Sequence, residues 1–149
     1  MITSLLLDTH IALWLDSGHA HLRAPTRDLI DNCWAGGGTI YLSAVTAWEI
    51  ALLVDLDRID LDVTATRWVE RFLARPGVAA APLDWRSACG AYGLDPLENR
   101  DPADRLLIAT AIELGCPLVT YDSRIAAFAA DQGRRHHFSV ATDLQISRF

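Results

Sequence analysis

Lysine is absent from this 149-residue chain; all 13 basic side chains are Arg. The guanidinium fork can pair phosphate bidentately, but genome composition explains the bias equally well, so no function is rested on it. A glycine-rich phosphate loop closing on Lys is likewise missing. Cysteine is sparse: Cys33, Cys89 and Cys116 are odd in number and far apart, without CxxC or Cys/His ligand spacing. That argues against a disulfide framework and against zinc, and leaves buried free thiols in a reducing compartment as the expectation. No apolar run reaches the ~18 residues of a membrane span. The opening MITSLLLDTH has neither the basic start nor the small-residue cleavage site of a signal peptide, so a cytoplasmic location is expected. No Ser-His-Asp or Cys-His arrangement stands out.

What is present is an ordinary globular composition, 51% hydrophobic and 21% charged, which excludes disorder. The length suits one domain, taken as residues 1–149, in which roughly two-thirds of the unfolded surface can be buried. The net charge of −6 is unexpected for a nucleic-acid binder. Four carboxylates gathered at one site would account for most of it, and a bound cation would offset them.

Strand and helix signals alternate along the chain. Apolar residues 2–7, 39–42, 78–83 and 117–120 read as strands, and 138–140 as a candidate edge strand. Residues 9–15, 24–34, 44–54, 62–73, 84–92 and 102–114 read as helices, with a last helix from Asp122 or Ser123 through Ala130. Ser43 is a good cap for the third of these. Asp101-Pro102 opens the sixth and Gly115 ends it. This alternation predicts an α/β domain with a mainly parallel sheet and helices on its faces.

Ligands in such sheets bind beyond the carboxyl ends of the strands. Asp8 directly follows the first strand, and Asp122 comes two residues after the strand ending at Thr120. Glu49 lies about a turn and a half into the helix after the second strand. Asp104 is in the first turn of the helix leading into the last strand. Four carboxylates on one rim repel each other, and a cation relieves that. Hard divalent ions choose oxygen ligands, and such an ion can activate water against a phosphodiester. A plainer reading stands beside this one: Asp at a helix start is favoured for capping and for the macrodipole. Asp8, Asp101, Asp104 and Asp122 each satisfy it. Glu49, among Trp48, Ile50, Ala51, Leu52 and Leu53, does not.

Four segments, LLLDTHIALWL at 5–15, LSAVTAWEIALL at 42–53, DPADRLLIATAIELG at 101–115 and PLVTYDSRI at 117–125, together resemble the PIN-domain family. Within it they are similar to the VapC-type toxins of bacterial toxin–antitoxin pairs. The resemblance implies a three-layer α/β/α sandwich around a mainly parallel sheet of four to five strands. It implies Mg2+ or Mn2+ and endonucleolytic cutting of RNA. It also implies a small antitoxin that blocks the site, and a homodimer, or a heterotetramer or larger assembly with the antitoxin. Asp8, Glu49, Asp104 and Asp122 fall on the family's four acidic positions, with Asp8 and Asp104 expected in direct metal contact. Asp101 either supports the site or only caps its helix, the cap being favoured. Ser43 and Thr120 are placed to hydrogen-bond the acids or water, although a structural role is the simpler reading for each.

Two positions depart from the family pattern. Close relatives often carry Lys where Leu53 stands and His where Asn99 stands. Arg100, Arg105 and Arg124 are the candidate replacements in phosphate contact, set against an ordinary solvated or paired surface role. The five tryptophans are expected to pack; Trp14 is the best candidate for stacking on a base, and Trp68 for a dimer or antitoxin surface. His10 is expected to pack or cap near the site. Residues 134–137, Arg-Arg-His-His, either steer RNA or form a solvated tail, the tail being favoured. The departures leave a second reading open, a catalytically weak RNA-binding or regulatory module on the same fold. A phosphatase- or receiver-like domain is disfavoured, because Asp8-Thr9-His10 lacks a D-x-D pair.

Overall fold

The computed structural model describes residues 4–141. The expected strand at residues 2–7 is present as β1, Ser4–Leu7, and residues 2 and 3 lie outside the described range. Then follow α1 (Thr9–Ser17), α2 (Ala24–Ala35), β2 (Thr39–Ser43), α3 (Ala44–Asp55), α4 (Ala65–Leu73) and β3 (Val78–Ala81). The chain continues through α5 (Trp85–Gly90), α6 (Pro102–Leu114), β4 (Leu118–Val119) and α7 (Ser123–His136).

The four strands form one parallel sheet in the order β3-β2-β1-β4. Alternation along β1 divides the core: Leu5 and Leu7 point to one face of the sheet, Leu6 to the other. On the first face they meet Ile11 of α1, Ile30 of α2, and Trp68 and Phe72 of α4. On the second, Leu6 meets Leu107 and Ile108 of α6, and Ile125 and Phe128 of α7. Helices therefore cover both faces, which is why the strands are apolar runs with no polar side. Residues 138–140 contribute a single bridge, Val140 to Leu118, rather than a full edge strand.

Two helix boundaries differ from the sequence expectation. α4 starts at Ala65 because the Thr64 hydroxyl accepts the Arg67 N–H at 3.1 Å and caps it there. α7 does not stop at Ala130 but runs to His136, so the Arg134–His136 stretch is its last turn and not a free tail. Gly133 inside it is buried, and a Cβ there would lie 2.5 Å from the Phe138 carbonyl oxygen. Glycine at that position lets the chain fold back against its own helix.

Candidate metal centre at the carboxyl edge of the sheet

The parallel register brings the carboxyl ends of β1 and β4 side by side, Leu7 opposite Val119. Asp8 leaves β1 there, its N–H donating to the Val119 carbonyl at 3.0 Å. One carboxylate oxygen accepts the Thr9 N–H at 2.7 Å and caps α1. The other accepts the Thr120 hydroxyl at 2.6 Å. Thr120 is fully buried, and its hydroxyl also accepts the Asp122 N–H at 3.1 Å. One threonine thus fixes the Asp8 side chain and the backbone that presents Asp122. Asp122 in turn caps α7, accepting from Arg124 and Ile125 N–H at 2.8 and 3.1 Å.

The third helix terminus at this edge belongs to α6. Asp101 caps it through the N–H groups of Ala103 and Asp104. Asp104, in the first turn, accepts the Asn99 side-chain N–H at 2.9 Å, while the Oδ1 of the same Asn99 side chain accepts the Asp101 N–H at 3.0 Å. Arg105 is neither solvated nor aimed at the cleft, contrary to expectation. It is buried and donates to the carbonyls of Asn99, Leu97 and Ala91 at 2.8, 2.7 and 3.0 Å. It staples the 91–99 loop to α6 and so fixes the residue that holds Asp104.

Glu49 reaches the same edge from α3. Its helix starts at Ser43, whose buried hydroxyl accepts the Val45 N–H at 3.0 Å. Ser43 therefore acts here as a cap. The buried hydroxyls of Thr9 and Thr46 pair at 3.2 Å and tie α1 to α3. Glu49 is half-buried where the two helices meet.

Asp8, Glu49, Asp101, Asp104 and Asp122 all line one cleft of about 380 Å³, with His10, Trp14 and Tyr121 on its wall. Three of these acids are also helix caps, so the plainer reading and the site reading both describe them. The N-termini of α1, α6 and α7 direct their positive dipole ends here, which partly offsets the negative charge.

The cost of gathering acids is visible in their protonation. Burial pushes Asp104 up to about 6, partly opposed by the Asn99 hydrogen bond and reinforced by Asp101, Asp8 and Asp122. Burial also raises Asp8; bonds from Thr120 and Thr9 and the nearby His10 lower it, and Asp122 adds a small repulsion. Glu49 is raised by burial, lowered by the Thr9 hydroxyl, and raised again by Asp8 and Asp101. These mutual repulsions place the carboxylates within each other's fields.

Among the described residues, no three His, Cys, Asp or Glu side chains close into a ready-made ligand set. The acids face one another across the cleft at wider spacing. An all-oxygen donor set of that kind suits a hard cation that keeps several of its waters, and does not suit zinc.

Several other residues differ from expectation. Trp68 packs, as expected of the tryptophans, but offers no dimer or antitoxin surface, being 2% exposed with its indole N–H donated to Asp16 at 3.0 Å, whereas Trp48 and Trp85 are exposed. Cys89 is exposed, whereas Cys33 and Cys116 are buried as expected. Arg124 lines the cleft and lies 3.8 Å from Asp122. No helix among the described residues is long and apolar enough to cross a membrane. The sequence reading passed over the Thr9–Thr46 pair and the Asn99–Arg105 scaffold. A clue to the second was the run Asn99-Arg100-Asp101-Pro102, in which two side chains able to bond local backbone precede a helix start.

Comparison with known proteins agrees with the fold. The PIN-domain family model matches residues 5–131. The chain is 31% identical over 124 residues to Ribonuclease VapC22 of Mycobacterium tuberculosis, covering 83% of this chain and 91% of that protein. The fold is shared with a chain of the VapBC2 crystal structure from Rickettsia felis, bound to a promoter DNA fragment. The TM-score is 0.62 at 16% identity, covering 93% of this chain and 97% of that one. It is also shared with a chain of FitAcB from Neisseria gonorrhoeae, with TM-score 0.54, 20% identity, and coverage of 93% and 96%.

Proposed function

Since this chain belongs to the PIN-domain family, we propose that it is a divalent-metal-dependent endoribonuclease, the toxin of a toxin–antitoxin pair. The observation that carries the reading is the convergence of Asp8, Glu49, Asp104 and Asp122 on a single cleft at the carboxyl edge of a parallel sheet. The relationship to Ribonuclease VapC22 supports RNA as substrate, and the VapBC2 and FitAcB complexes support an antitoxin partner.

In this reading Asp8 and Asp104 would contact Mg2+ or Mn2+ directly, and Glu49 and Asp122 would complete the site directly or through waters. Such a cation, when bound, supplies Lewis-acid chemistry for phosphodiester hydrolysis. Thr120 keeps one Asp8 oxygen occupied and leaves the carboxylate fixed in orientation. Asn99 does the same for Asp104. Glu49, half-buried and raised towards neutrality, is placed to hold a water in the cleft and take its proton. Asp101 caps α6 and adds negative charge to the wall. Asn99 holds Asp104 by a hydrogen bond, so an ordered acidic site is kept with asparagine at this position.

The test is cleavage of structured RNA by the purified protein in Mn2+. Cutting that stops with EDTA and in Asp8→Asn supports the reading; full-rate cutting by Asp8→Asn rejects the site. A growth defect on induction, relieved by a short neighbouring gene product, tests the toxin role. Light scattering with and without that product tests for a homodimer and for a heterotetramer or larger complex.

A further inference from the structure

The acidic cleft is not isolated. A second cleft of about 390 Å³ adjoins it, and His10 and Trp14 line both. The ridge between the two clefts is therefore made of rings. His10 is exposed and lies against half-buried Trp14, with centroids 5.6 Å apart. Trp14 also packs against His19, His21 and Tyr121, at 6.2, 5.2 and 6.1 Å, with Tyr121 on the wall of the acidic cleft and His19 on that of the second.

Packing accounts for those three. They join the turn after α1 to the end of β4, where the Tyr121 hydroxyl also donates to Thr26 at 2.6 Å. Packing does not account for His10, which stands in the open in the first turn of α1, two residues from Asp8. Across the ridge the second cleft is lined by apolar Leu13, Ile59, Leu61 and Trp68, and by Ser17, Asp16, Asp60 and Asp62, of which Asp16 and Asp62 are paired with Arg71. A slot with ring faces at its mouth and apolar side chains and acceptors in its lining repels phosphate and accepts a flat heterocycle that has amino groups to donate.

We propose that the His10–Trp14 ridge is a stacking platform for an unpaired nucleobase, seated in the second cleft next to the phosphate that a cation at the acids would hold. The proposal rests on the ribonuclease reading for its substrate class, and what it adds is the place where a base sits: a base inside a duplex cannot reach the rings, so an unpaired one occupies the ridge. Stacking of this kind tolerates any base, so the ridge supplies affinity and position more than sequence choice.

The test uses a fluorescein-labelled oligoadenylate 12-mer and an abasic-spacer oligomer of the same length, with binding read by anisotropy. Trp14→Leu is expected to weaken oligoadenylate binding about tenfold, and His10→Ala several-fold, in line with the loss of one stacked base. Trp14→Phe should restore most of the binding, and the abasic oligomer should bind all four proteins alike. Circular dichroism melts identify any variant that has lost its fold, and His10→Ala, on an exposed side chain, carries the test if Trp14→Leu fails to fold. Equal oligoadenylate affinity in wild type and His10→Ala overturns the proposal. So does wild-type binding that ignores the bases, or a ridge whose loss weakens only the antitoxin. Cleavage in Mn2+ is scored separately. Cutting without base-dependent binding rejects the platform alone; base-dependent binding without cutting rejects the nuclease reading alone.

Discussion

Asn99 donates its side-chain amide to a carboxylate oxygen of Asp104 at 2.9 Å, while burial pushes Asp104 up to about 6, towards its neutral form. The amide restrains Asp104 without adding a cation to the site. Asn99→Ala is expected to raise the Mn2+ concentration for half-maximal cleavage about tenfold, the scale of a lost hydrogen bond to a charged group. Asn99→His should recover most of that loss. Metal titration of cleavage rates checks both.

The raised Asp104 also fixes the sign of a pH effect. A carboxyl whose folded value lies above its ordinary one binds protons more tightly in the folded chain. Its contribution favours folding at low pH and is lost as pH rises through about 6. Metal-free protein is therefore expected to lose stability from this group between about pH 4 and pH 6, and a divalent cation should reverse the loss by taking the proton's place. The rise in melting temperature on adding Mn2+ should be small near pH 5 and large near pH 7.5. Asp104→Asn should melt higher than wild type without metal at the upper pH and gain little from Mn2+. Thermal melts across pH, with Mn2+ and with EDTA, measure all of this.

Thr120 links Asp8 to the backbone of Asp122 through one hydroxyl. Thr120→Val keeps the shape and removes both bonds. The expected cost is about 1–3 kcal/mol of stability, because the Asp122 N–H loses its acceptor and Asp8 keeps its charge with less support. Asp8 should then titrate higher, so the pH of half-maximal cleavage should move up. Urea denaturation and a pH–rate profile separate the two effects.

Arg105 leaves three carbonyls of the 91–99 loop without a donor when it is removed. Arg105→Met is expected to cost about 3 kcal/mol or more, at roughly 1 kcal/mol or more for each orphaned group. Arg105→Lys cannot reproduce the fork and should recover only part of it. Limited proteolysis should find the 91–99 segment cut first in both variants.

The degree to which all this was readable in sequence follows local chemistry. α6 was legible to the residue because Asp101-Pro102 and Gly115 announce its two ends. The four acids were legible because each sits at a fixed offset from a strand end or a helix start. The start of α4 was obscured by Asp60, Leu61 and Asp62, which imitate a helix opening, when the operative cap is Thr64. The end of α7 was hidden because Gly133 reads as a breaker, and only the fold shows the Phe138 carbonyl that demands it. Arg105 was illegible for the same reason: its three acceptors are backbone oxygens of a loop, and no side-chain pattern marks them. Trp68 looked like an interface residue because its partner, Asp16, lies 52 residues away.

The central claim is that Asp8, Glu49, Asp104 and Asp122 gather in order to hold a cation. A crystal grown or soaked with Mn2+ and measured for anomalous scattering tests it directly. The expected result is a peak in the cleft at about 2.0–2.2 Å from oxygens of Asp8 and Asp104, weakened or lost in Asp104→Asn. A cleft without a peak at saturating Mn2+, or an ion bound only elsewhere on the molecule, contradicts it.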